Sequence, residues 1–238
     1  MNILSIDTAS DICGVSILEN KILLCNLDSN TGRTHSENLM PFIQTAFEKT
    51  RLHLKDIDLV VCDEGPGSFT GIRIGIATAK AFHDSLDIPC IGISSLETLA
   101  YNIKNDGLIC SLIDCKHSSC YFALYQLENS IYKEIISPSA NSIENICNTL
   151  NNSYADKEIT FVGDGSLAYR DILKNNFSSA IFAIENNLNS YNLGLAGLYE
   201  FTKSNNISSE LLPLYLKKPQ AQRLLEEKNN LERCDGHV

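Results

Sequence analysis

Positive charge is scarce in this chain: 19 Lys and Arg stand against 29 Asp and Glu over 238 residues, a net charge of −10. A surface of that sign repels nucleic-acid phosphates, so any RNA in the life of the protein is expected to be held by something else. Long apolar runs are missing too. No stretch approaches the roughly 18 residues of a membrane span, and the opening MNILSIDTAS is a strand-like run broken by Asp7 rather than a basic leader, so a cytoplasmic chain with no membrane partner is expected. Paired histidines are lacking: none of His35, His53, His83, His117 and His237 has another three or four residues away, which removes a helical two-histidine metal site. Nine cysteines are an odd number, and most lie in apolar stretches such as LVVCDEG and IPCIGI, as reduced thiols used as small core residues do. Cys110, Cys115 and Cys120 are evenly spaced, but the spacing matches no zinc knuckle, and on a strand they are not expected to converge.

What is present is a 44% apolar composition, enough for a packed core and of a length for one large domain or two small lobes. Apolar runs at Ile3–Ile6, Cys13–Leu18 and Lys21–Leu27, separated by a polar turn and by Glu19-Asn20, read as three antiparallel strands. Leu39, Met40, Ile43, Ala46 and Phe47 then recur at helical spacing, after the polar start Ser36-Glu37, and the helix ends near Arg51. Ile57–Cys62 is a strand, Gly65-Pro66-Gly67 a turn, and Ser68 opens a helix to about Ser85. A strand at Pro89–Ile93 and a helix from Ser95 to Ile103 follow. After Asn105-Asp106-Gly107 the pattern restarts: Leu108–Ile113 ends in Asp114, a polar turn follows, and Cys120–Leu127 runs back. Ile159–Val162, a Gly163-Asp164-Gly165 turn and a helix to Lys174 come next, then a helix from Tyr191 to Lys203. The expected divisions are lobes at 1–104 and 105–190, a helix and extension at 191–223 packing between or onto them, and a polar tail at 224–238 that is mobile beyond Arg223.

The richest segment runs from Asp63 to Gly75. It lacks the lysine of a phosphate-binding P-loop, Thr70 replaces the last glycine of a dinucleotide fingerprint, and Pro66 replaces the first glycine of a nucleophile elbow. Ser68 therefore reads as a helix N-cap. Gly71, Gly75 and Ala79 fall every four residues and line one helix face, which admits another backbone closely, either the chain's own sheet or a helix of another subunit. His35 at a helix start is expected to be solvated or capping. Asp7 and Asp114 close corresponding hairpins. Together they would flank an interlobe cleft and hold magnesium and phosphate, and an Asx turn alone would account for either.

Taken together, ILSIDTASDICGVSI, HSENLMPFI, EGPGSFTGIRIGIATAKAF, IPCIGISSLETLA, LIDCKHSSCYFALY and FVGDG resemble the TsaB (YeaZ) family over Met1 to about Gly165, with a weaker echo at LLPLYLKKP. The resemblance implies an α/β, two-lobed actin-like, Hsp70-like, sugar-kinase-like (ASKHA) fold, with a mixed five-stranded sheet and helices in each lobe. It implies a non-catalytic subunit of bacterial tRNA threonylcarbamoyladenosine synthesis that binds and stabilises its paralogue TsaD, helps recruit the ATPase TsaE, forms a homodimer when alone and meets tRNA only through the complex. Ser95 and Leu99 fall where TsaD carries its two metal-binding histidines, and neither is an imidazole. The implied partner interface is His35, Leu39, Phe42, Phe69, Gly71, Ile72, Arg73, Gly75 and Ala79. Asp7, Thr8, Asp114, Gly163 and Gly165 fall on a vestigial nucleotide cleft, and Lys116 stands where the family pattern leads one to expect Arg. No cofactor is required by the chain alone, and ATP or ADP is expected, if anywhere, at the interface of the complex. The alternative is an ATP-dependent phosphotransferase or a protease-like enzyme of the same fold, motivated by the Asp7 and Asp114 hairpins.

Overall fold

A computed structural model describes residues 1–30, 34–203 and 211–217. Strands β1 (Asn2–Asp7), β2 (Cys13–Glu19) and β3 (Ile22–Ser29) form the expected antiparallel meander, and β4 (Leu59–Gly65) and β5 (Cys90–Ser94) add in parallel beside β1. The sheet order is β3-β2-β1-β4-β5. The second sheet repeats it. Strands β6 (Gly107–Asp114), β7 (Ser119–Glu128) and β8 (Ile131–Ser142) form its meander, β9 (Ile159–Val162) and β10 (Ala180–Phe182) its parallel edge, in the order β8-β7-β6-β9-β10. The hairpin likeness noticed in the sequence is thus one part of a duplicated five-strand plan.

Alternation along the strands explains the layers, because successive side chains face opposite sides of a sheet. Leu4 and Ile6 pack with Leu39, Ile43 and Ala46 of α1 (His35–Thr50) and with Ile72, Ile76 and Ala79 of α2 (Phe69–Leu86). Ile3, Leu59 and Val61 point the other way, onto Leu193, Ala196 and Leu198 of α7 (Ser190–Lys203). Helix α7 thus belongs to the first sheet. It sits close: a Cβ on Gly197 would lie 2.4 Å from the Val61 methyls. In the second lobe, α4 (Ile143–Tyr154) and α6 (Arg170–Asn176) cover Cys110, Leu112, Phe122 and Phe161. The opposite face, through Ile109, Ala123 and Val162, joins the first core by way of Leu96, Leu99 and Ala100 of α3 (Ser95–Ala100).

Several expectations need adjusting. The helix read to Ile103 stops at Ala100, and the one read from the Gly163 turn to Lys174 is two helices, α5 (Asp164–Ala168) and α6, broken at Tyr169. Residues 131–154, for which the sequence suggested no element, hold β8 and α4. Cys110 and Cys120 do converge, in one cluster with Cys147, while Cys115 stays at the hairpin turn. Among the described residues no group of His, Cys, Asp or Glu could hold a metal ion, and no helix is long and apolar enough to cross a membrane. The expected mobile tail, with Cys234 and His237, lies outside the described residues.

Candidate functional site

The two hairpins face each other across a cavity of about 790 Å³, lined among others by Ser10, Asp11, Gly67, Ser68, Asp114 and Lys116. Ser68 is the N-cap of α2, as read from the sequence: its Oγ accepts from the Gly71 N–H at 3.2 Å. Asp7, Thr8, Gly163 and Gly165 do not line the cavity. Asp7 and Thr8 are fully buried beneath it, and the Thr8 hydroxyl donates to the Gly71 carbonyl at 2.8 Å.

Asp7 has a companion that the sequence reading passed over. Ile6 pairs with Cys62 across the parallel β1–β4 ladder, so the next residues, Asp7 and Asp63, stand side by side. One oxygen of each carboxyl accepts from the backbone two residues on, Asp7 Oδ1 from Ala9 N at 3.1 Å and Asp63 Oδ1 from Gly65 N at 2.7 Å. The other, Oδ2, has no partner in either case. Burial, tempered by the Ala9 N–H and reinforced by Asp28, pushes Asp7 up to about 7. Burial and then the charge of Asp7 push Asp63 well above the ordinary range. Two like charges in a dry site cannot both persist, so burial and mutual repulsion keep a proton on the pair toward neutral pH.

In the second lobe Asp114 is different. Burial would raise its pKa, but the Lys116 ammonium and N–H and the Tyr169 hydroxyl outweigh it, and the carboxyl lies below its ordinary value. Lys116 Nζ stands 2.8 Å from Asp114 Oδ2. The turn beyond runs through Lys116, His117 and Ser118 at φ of 65°, 54° and 54°, three successive left-handed residues, none of them glycine.

These residues do not fit a nucleotide triphosphate. Three N–H groups at the strand ends and the helix start are already bound within the chain: Gly163 N to Asn186 Oδ1 at 2.9 Å, Asp114 N to Asp164 Oδ1 at 3.0 Å, and Ser68 N to the Ala9 carbonyl at 2.7 Å. The lining cation, Lys116, is bound to Asp114, and Asp11 and Asp164 add negative charge. Gly163 answers to packing instead, since its φ is +101° and a Cβ there would lie 2.1 Å from the Leu112 carbonyl oxygen. Nor do the α3 positions fit a metal. Leu99 has no donor atom and is buried, and the buried Ser95 hydroxyl donates to Asp63 Oδ1 at 2.6 Å.

The expected partner face divides in two. Gly71, Ile72, Gly75, Ala79 and Leu39 are buried within the chain, contrary to their reading as interface residues. A Cβ on Gly71 would lie 1.9 Å from the Thr8 carbonyl oxygen, and one on Gly75 would lie 2.6 Å from Thr8 Oγ1 and 3.2 Å from Cys62 Sγ. The small face of α2 is thus spent on the end of β1. Spacing alone could not separate an internal from an external neighbour. His35 is half-buried rather than solvated: its Nε2 pairs with the Ser10 carbonyl at 2.8 Å and it braces the first hairpin turn. The N-cap of α1 is Thr34, in a capping box with Glu37.

What remains outward is Phe69 and Arg73, with Phe42 half-buried. Phe69 and Tyr215 are each 47% exposed, with ring centroids 5.3 Å apart. The Arg73 guanidinium lies 3.8 Å from the Phe69 centroid, and its Nε donates to the Tyr215 hydroxyl at 2.7 Å. A separate apolar groove of about 680 Å³ is lined by Met40, Ile43 and Phe47 of α1, by Leu54 in the segment after it and by Phe82 near the end of α2, with Met40 53% exposed.

A duplicated β-meander with a parallel edge in each lobe, and a cleft between the two first hairpins, defines a protein of the two-lobed actin-like, Hsp70-like and sugar-kinase-like class. A family model described as TsaD, tRNA N6-adenosine threonylcarbamoyltransferase, matches residues 28–227. The tRNA threonylcarbamoyladenosine biosynthesis protein TsaB of Bacillus subtilis is 35% identical over 137 residues, 57% of this chain and 60% of that relative. The protein of the same description from Haemophilus influenzae is 29% identical over 229 residues, covering 91% of this chain and 94% of that one. YeaZ from Pseudomonas aeruginosa superposes with a TM-score of 0.74 at 21% identity, over 90% of this chain and 99% of that structure. The chain belongs to the TsaD family, and the relatives it resembles within it are described as TsaB. The B. subtilis alignment spans less than two thirds of that relative's length.

Proposed function

We propose that this chain takes part in tRNA threonylcarbamoyladenosine biosynthesis as a non-catalytic subunit, binding and stabilising TsaD and helping to recruit TsaE. The observation that carries the reading is the division of α2: its inner face is locked to β1, while its outer face offers a preassembled Phe69–Arg73–Tyr215 cluster, and α1 adds an apolar groove that ends at Phe82. Tyr, Arg and large apolar anchors held in place before contact are the composition of interface hot spots, because little side-chain entropy is left to lose. The same surface serves a homodimer when TsaD is absent. Ser95 and Leu99, bound into the core, support assigning the transfer chemistry to TsaD. The net charge of −10 supports indirect contact with tRNA. Any ATP or ADP of the assembly is held at the junction between subunits, since Gly163 N, Asp114 N and Ser68 N are bound within this chain and Lys116 is paired with Asp114. The enzyme alternative draws on Asp7 and Asp114: Asp7 is buried against Asp63 and does not reach the cleft, whereas Asp114 lines it with its carboxylate paired to Lys116.

The test is calorimetric titration of TsaD with the wild-type chain and with Phe69→Ala, Arg73→Ala and Met40→Ala. Each variant should weaken binding by about tenfold or more while leaving the thermal midpoint within a few degrees. Unchanged affinity in all three would move the interface elsewhere.

A further inference from the structure

A second interlobe cavity, of about 700 Å³, opens at the other end of both sheets, where the β2–β3 and β7–β8 turns lie. Lys21 and Ile22 reach it from the first sheet, Tyr132 from the second, Tyr101 and Lys104 from the segment after α3, and Leu198 from α7. Tyr101 and Tyr132 stack with centroids 4.0 Å apart, and the Tyr132 hydroxyl donates to the Ile103 carbonyl at 2.7 Å, so one wall is aromatic and fixed. Lys104 Nζ donates to the Tyr101 carbonyl, which uses one of its three hydrogens. Partial burial lowers its affinity for a proton below that of an ordinary lysine.

No Asp or Glu lines this cavity, and among the described residues no carboxylate lies within ion-pair distance of Lys21 or Lys104. Glu97 and Glu200 act on the Tyr101 hydroxyl, but neither belongs to the lining. In a chain of net charge −10, two ammonium groups without a carboxylate partner, that of Lys104 lying 5.9 Å from the Tyr101 ring centroid, beside a fixed apolar wall are complementary to an apolar body bearing a single negative charge. We propose that this cavity binds an aromatic monocarboxylate, its ring on the Tyr101–Tyr132 wall and its carboxylate on Lys104 and Lys21. Such a ligand touches the turns of both sheets and α7, and so ties the lobes together.

The probe is 2-naphthoate, with uncharged 2-naphthamide as its control, titrated into the full chain and followed by backbone NMR shifts. Shifts should cluster at residues 20–22, 101–104, 130–132 and 195–202, and naphthoate should bind about tenfold tighter than the amide. Lys104→Met and, on the more exposed turn, Lys21→Met should each remove most of that difference without changing amide binding. A variant that had lost its fold would lose the amide too, and the other variant would then decide. Equal affinities for the two probes, shifts centred on Asp114 and Lys116, or no saturable binding at millimolar probe would each overturn the proposal.

Discussion

The two lobes repeat one strand order, yet they treat the carboxylate at the end of their first hairpin strand in opposite ways. Asp7 is fully buried, beside Asp63, and holds its proton toward neutral pH. Asp114 is held ionised by Lys116 and Tyr169 at the cleft wall. The packing above each hairpin explains the difference. Long α2 sets its glycine face on Thr8 and seals the first hairpin end, whereas in the second lobe the short α5 approaches Leu112, earlier in the strand, and leaves the turn open. A duplicated frame does not enforce a duplicated site. The first lobe has converted its hairpin end into core, which leaves the outside of α1 and α2 as the surface available for function.

The comparison breaks most visibly at Gly75. Gly75→Leu should destabilise the fold by roughly 4 kcal/mol or more, or abolish soluble expression, because its Cβ alone would already press on Thr8 Oγ1 and Cys62 Sγ. Circular dichroism and chemical denaturation decide this, and a folded monomer of normal stability would mean that the glycine face is free. The next largest effect concerns protons. Asp7 and Asp63 bind them more tightly folded than unfolded, so the stability they contribute is fully present below the ordinary aspartate pKa. It is lost as pH rises, for Asp7 from 3.8 to about 7. Asp63→Asn keeps an acceptor for Ser95 and Gly65 and removes the second ionisable group. Its stability relative to wild type should rise between pH 5 and pH 8, by roughly 2 kcal/mol at the upper end. Parallel pH profiles for the two proteins would mean that Asp63 takes up no proton on folding. At the second hairpin, Lys116→Ala should leave the melting temperature unchanged within error, since its ion pair with Asp114 is at the surface and the lysine side chain is 79% exposed.

Much of this plan was legible because the strands carry it locally. The apolar run Ile3–Ile6, the helical spacing of Leu39, Ile43 and Ala46, and the Ser68 cap all describe neighbours a few residues away. What escaped depends on distant partners. Asp63 was in view, but nothing local says that β4 lies parallel to β1 and brings it beside Asp7. Tyr215 reaches Phe69 and Arg73 only because Leu214 N bonds the Glu64 carbonyl at 2.7 Å. Helix α4 was readable in principle from Ile143, Ile146, Cys147 and Leu150, but its interleaved asparagines look like a loop. β8 carries Pro138 and is half-exposed along most of its length, so it lacks the apolar run that marked its neighbours.

The proposed role is to assist a transfer reaction without performing it. Threonylcarbamoyl transfer to tRNA should therefore be measured with this chain alone, with TsaD alone and with the two together, TsaE present throughout. The account predicts no transfer from this chain alone and a rate for the pair well above that of TsaD alone. Transfer by this chain without TsaD would contradict it, and would make the cleft at Asp114 a working site.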